Sequence, residues 1–141
     1  MRLIVLERSE RRVVTCVAAE DSPHGVSVLA FIRQRPADQA ASARGFKALF
    51  QRYAETGRAG LTTELFHEVD ASAGIWEFIK GRLRCFCFMD HAEHLTILTH
   101  GVVKKTPKAD RQAVAAAVAV KARYLAAKAA GTITRAESND E

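Results

Sequence analysis

Two β-branched runs open the chain, residues 2–6 (RLIVL) and 13–18 (VVTCVA), separated by the polar ERSERR. That pattern predicts a pair of short strands. Apolar positions then change to helical spacing. Ser22-Pro23 offers a helix start, a capping residue followed by proline in the first turn, and Val26, Leu29 and Ala30 continue it until Pro36 breaks it. A second helix over residues 37–56 carries Ala43, Phe46, Leu49, Phe50 and Tyr53 on one stripe, and Gly57 stops it. Residues 58–74 read as loop, with Gly60, Asp70 and Gly74 as breakers.

Three strand candidates follow in close order, residues 75–80, 83–89 and 95–100. Their connections, Gly81 with its neighbour and then the polar DHAEH, are short enough to require an antiparallel meander. Thr106-Pro107 reads as the start of a third helix, which runs to about Ala130 with Val114, Val118 and Leu125 as its core positions and Arg111, Lys121, Arg123 and Lys128 on its wet side. Gly131 ends it. The expected fold class is α+β: a small antiparallel sheet, made of an N-terminal strand pair and a C-terminal three-stranded meander, with helices packed on one face. Residues 1–130 form a single domain in this reading, and the small, acidic residues 131–141 a disordered tail.

Composition narrows the class. At 141 residues and 48% hydrophobic, the chain can bury a core without disulfides or metal. No apolar run is long enough to span a membrane, and MRLIVLERSERR is too soon interrupted by charge to be a secretory signal, so the expected location is the cytoplasm. Cys16, Cys85 and Cys87 lack the spacing of a redox or zinc site and read as small buried hydrophobes. The sequence calls for no cofactor.

Charge changes the picture more. Residues 1–79 are neutral overall, with 10 basic and 10 acidic side chains, whereas residues 80–128 hold 10 basic against 3 acidic ones. The excess therefore lies in one segment, and a polyanion, RNA first, is the partner it fits. At its centre is Thr99-His100-Gly101-Val102-Val103-Lys104-Lys105-Thr106-Pro107-Lys108, a strand end that runs through three lysines towards a helix start. Such a junction suits phosphate binding, although a charge run is often only a solvated face. His91 and His94 near Cys85 and Cys87 fit no standard zinc spacing. Glu77 and Asp90 read as isolated carboxylates with hydrogen-bonding or surface roles, and Trp76, Phe78, Phe86 and Phe88 as core.

From Gly74 onward the chain becomes recognisable. Gly74-Ile75-Trp76-Glu77-Phe78, Leu83-Arg84-Cys85-Phe86-Cys87-Phe88 and the segment from Ile97 to Lys108 resemble the HigB/RelE superfamily of toxins, in its phage-derived, HigB-like branch. The pattern there is a glycine-led strand ending Glu-Leu-Arg, a strand of the type Arg-Val-Leu-Phe-Phe, and a histidine followed by paired lysines and Thr-Pro. The resemblance spans roughly residues 20–126. Where the pattern has the arginine of Glu-Leu-Arg this chain has Ile79, and the usually basic loop ahead of that strand reads His67-Glu68-Val69-Asp70.

The resemblance implies a RelE-like fold and a metal-independent endoribonuclease that cuts mRNA on the ribosome, as the toxin of a type II toxin–antitoxin pair. Its partners would be mRNA and a cognate antitoxin of helix-turn-helix type. Such an enzyme needs a base, a cationic clamp for the phosphorane and an acid for the leaving oxygen. Carried over by position, Arg84 would be the clamp, Lys104 and Lys105 would hold the backbone or serve as base, and His100 would be acid or base. Lys80, Arg82, Lys108 and Arg111 would add contacts to RNA. Two other readings stay open: a catalytically degenerate module that binds RNA or protein, and a phage structural or interaction protein.

Overall fold

Side chains of residues 75–88 alternate so that both faces of a sheet become apolar. Trp76, Phe78, Cys85 and Cys87 lie to one side, and Ile75, Phe86 and Phe88 to the other. Strands of that kind need cover on both faces. The structure, a computed structural model, describes residues 1–138. Its strands are β1 (Arg2–Arg8), β2 (Val13–Val17), β3 (Phe66–Asp70), β4 (Ile75–Lys80), β5 (Leu83–Asp90), β6 (Leu95–Val103) and β7 (Thr134–Glu137). They form one open α+β sheet in the order β3-β4-β5-β6-β2-β1-β7. The meander and the N-terminal pair expected from the sequence are both present, joined because β2 lies parallel to β6.

The helices are α1 (Val28–Arg33), α2 (Ala40–Thr56) and α3 (Arg111–Ala130). They do not share one face, as the sequence suggested. Val28 and Phe31 of α1, with Phe46, Leu49 and Phe50 of α2, pack on one side, and Ala113, Ala117, Val120 and Tyr124 of α3 on the other.

Four further expectations are corrected. The first helix starts at Ser27, whose hydroxyl accepts from the Ala30 amide, because His24 and Gly25 turn left-handed and break the segment after Pro23. Helix α3 begins four residues after Pro107, capped by Asp110. Its inner stripe is also rotated, leaving Val118 37% and Leu125 51% exposed. An alanine-rich helix whose apolar side chains are spread around its axis has no periodicity to fix its face. Tyr124 fixes it instead, with its ring edge-on to Phe88 and its hydroxyl donating to Asp90 at 2.6 Å. Third, Phe66 stacks on Trp76 at a centroid distance of 4.9 Å, which makes the supposed loop an edge strand, β3. Fourth, residues 134–137 of the supposed tail pair parallel with β1.

One irregularity positions everything that follows. Opposite β5, the register of β6 slips by one: Cys87 faces Leu98 but Phe86 faces His100. Thr99 is the extra residue of a β-bulge, and its hydroxyl lies 3.4 Å from the Phe86 carbonyl. Before the bulge, odd positions such as Leu95 and Ile97 face α3; after it, an even position, Val102, does so. Gly101 consequently faces α1, where a β-carbon would run into the ring of Phe31. Gly101→Ala is therefore expected to cost about 1–3 kcal/mol through overpacking, read as a lower urea midpoint at unchanged slope. An unchanged midpoint would show that Phe31 can yield.

Candidate functional site

Because of that parity change, Lys104 projects on the same side of the sheet as Arg84, Phe86 and Val102. These residues line a cavity of about 220 Å³ together with His67, Glu77, Asp110 and Val114. An adjoining hollow is walled by Arg82, Arg84, Lys104 and Lys105, and a third by Lys104, Lys105, Lys108 and Arg111. Six of the eight predicted site residues, Arg82, Arg84, Lys104, Lys105, Lys108 and Arg111, thus line these adjoining hollows, and His100 and Lys80 do not. Lys80 points away, its side chain lying across Gly45 of α2 on the opposite face. Ile79, next to Arg84 in the β4–β5 register, occupies the groove face, so Lys80 cannot replace the arginine of the family pattern.

Arg84 is the best held of these cations. Its Nη1 donates to the carbonyls of Gly81 at 2.8 Å and Leu83 at 3.1 Å. Its Nε is buried without a hydrogen-bond partner, 3.8 Å from Glu77 Oε1. A buried, unsatisfied N–H costs desolvation energy and marks a place where a ligand oxygen would be favoured. Lys104 is anchored through its backbone, whose amide donates to the Arg82 carbonyl at 2.7 Å. Arg82 itself lies 3.8 Å from Asp38 at the surface. Lys105 and Lys108 are exposed on the loop ahead of α3. That loop replaces the direct lysine–helix junction expected from the sequence. The Asp110 carboxylate already takes the Ala113 amide at 2.9 Å, so the cluster must act through its side chains.

Sequence reasoning missed two members. His67 and Glu77 are cross-strand partners on β3 and β4. Glu77 is 5% exposed, and its Oε1 lies 2.9 Å from His67 Nε2. His67 Nδ1 lies 3.0 Å from the Thr63 carbonyl. Glu77 is therefore no isolated carboxylate. The signal was hidden because β3 was read as loop; an extended Phe66–Asp70 would have placed His67 beside Glu77.

His100 is not brought into the groove lining. Its ring stacks on Phe86 at 5.2 Å, Nδ1 sits 2.9 Å from the Thr99 hydroxyl, and the residue is 6% exposed. Cys85 and Cys87 face the core on the α2 side, where burial pushes their thiols up. Among the described residues no three His, Cys, Asp or Glu side chains gather as a metal site, and no helix is long and apolar enough to cross a membrane. A larger hollow of about 570 Å³ lies at the other end of β5 and β6 and includes Arg12, Trp76 and His91. Its Arg12 and Lys121 are spent on backbone carbonyls, and none of the predicted site residues reaches it.

The family's sequence profile matches residues 31–121, and the chain belongs to the Gp49-like family of phage-derived proteins (DUF891). That family is associated with toxins of toxin–antitoxin systems of the HigB/RelE kind. No curated protein matches the chain.

Burial holds the pKa of His100 down to about 4, aided by His24 and opposed by Asp110. The folded state thus binds fewer protons than the unfolded chain below the ordinary imidazole value of about 6.5. Stability present above that value is lost as pH falls towards 4, by about 2–3 kcal/mol. Urea unfolding at about pH 7 and about pH 4.5 tests this: the loss should shrink in His100→Gln, and an equal loss in both proteins would contradict it.

Proposed function

We propose that the chain is the toxin of a type II toxin–antitoxin pair and cleaves mRNA by attack of a ribose 2′-hydroxyl on the adjacent phosphate. The observation that carries this reading is the convergence of Arg82, Arg84, Lys104 and Lys105 on one groove, with the Arg84 Nε buried and unsatisfied at its wall. The attack builds negative charge on the non-bridging phosphate oxygens, and a fixed guanidinium beside an ammonium is complementary to that charge. Lys105, Lys108 and Arg111 extend the positive surface along the loop, where neighbouring phosphates of a bound strand would lie. The family association supports a cognate antitoxin as protein partner, and the ribosome is the site of action in this reading. Ile79, apolar on the groove face, favours a second reading in which the scaffold binds RNA without cutting it.

Induced expression in a bacterial host distinguishes the two. Growth arrest is expected with the wild type and with Arg44→Ala, an exposed cation on α2. Arg84→Ala and Lys104→Ala, each checked to be folded at the growth temperature, are each expected to relieve it, in line with a loss of about 10²–10³ in rate for one removed charge-stabilising donor. Arrest that survives both substitutions would refute the assignment of the groove.

A further inference from the structure

The His67–Glu77 pair forms part of the wall of the cavity that Arg84 also lines. Hydrogen-bond geometry fixes one proton of the imidazole. The Thr63 carbonyl, 3.0 Å from Nδ1, is only an acceptor, so Nδ1 carries hydrogen. Nε2 lies 2.9 Å from Glu77 Oε1, within ion-pair distance of a carboxylate. The pair thus sets an imidazole and a carboxylate beside the guanidinium of Arg84. Access is unequal: the His67 side chain is 39% exposed and that of Glu77 6%, so a substrate in the groove meets the imidazole. Charged groups around it are Glu77 on β4, Arg84 on β5, and Lys104 and Asp110 beyond β6, with Glu68 its neighbour on β3.

We propose that His67 is the general acid of the reaction, with Glu77 as its positioning residue; this rests on the endoribonuclease reading above. The 2′-oxygen forms a bond to phosphorus and its proton passes to water. The bond from phosphorus to the 5′-oxygen breaks, and that oxygen takes the proton from His67 Nε2. The products are a 2′,3′-cyclic phosphate and a 5′-hydroxyl. Neutral His67, still held through Nδ1 by Thr63, then takes a proton from solvent at Nε2. A DNA strand lacks the nucleophile and would be bound but not cut.

The test uses an RNA oligonucleotide, presented with ribosomes, and the same RNA with sulfur in place of the bridging 5′-oxygen at the cleaved phosphate. A thiolate leaves without being protonated. His67→Gln and His67→Asn, each compared with wild type by thermal melting, are expected to cut the ordinary RNA about 10²–10⁴-fold more slowly. On the sulfur-containing RNA they are expected to stay within about tenfold of wild type, whereas Arg84→Ala is slow on both. Equal losses on the two substrates, or no loss on ordinary RNA, would overturn the acid assignment while leaving the nuclease reading intact. If the wild type cuts neither substrate, the nuclease reading fails and the acid falls with it.

Discussion

The bulge at Thr99 is the constraint on which the groove depends. Without it, strict alternation along β6 would send Lys104 to the α2 side of the sheet, away from Arg84. One extra residue reverses the parity, brings Val102 and Lys104 onto the α3 side, and turns Gly101 towards Phe31. The Thr99 hydroxyl, placed between the Phe86 carbonyl and His100 Nδ1, supplies polar contacts where the ladder is interrupted. A packing demand and a chemical one meet here: only glycine fits under the Phe31 ring, and only the shifted register collects the cations.

The groove then sets strong charges in a partly dry setting. Glu77 is buried between an imidazole and a guanidinium, while Arg84 is fixed by the carbonyls of the β4–β5 turn. Removing one partner of such a buried arrangement typically costs about 3–5 kcal/mol, because a charge is left without compensation. The same fixation is useful to chemistry. A guanidinium held before substrate arrives need not reorganise as charge builds on phosphate. The exposed lysines of the loop ahead of α3 do a different job, since their attraction is long-ranged and weakened by salt.

Much of this was legible in the sequence, for local reasons. The strands of the meander, the end of α2 and the end of α3 follow from hydrophobic period and from the breakers Gly81, Gly57 and Gly131. Arg84, Lys104 and Lys105 lie in short motifs that keep their meaning whatever the rest of the chain does. What stayed hidden depends on distant contacts. Strand β3 exists because Phe66 finds Trp76, and β7 because β1 offers an open edge. The inner face of α3 is chosen by Tyr124 and Asp90, which are 34 positions apart. His67 and Glu77 became a pair only once β3 was known to be a strand, and His100 left the site only once its burial against Phe86 was known.

The most direct measurement of the central claim is mapping of transcript 5′ ends in cells after brief induction of the wild type or of the Arg84→Ala/Lys104→Ala double variant. New ends within coding regions, carrying 5′-hydroxyls and absent from the double variant, are the predicted result. A wild-type profile indistinguishable from that of the folded double variant would contradict it.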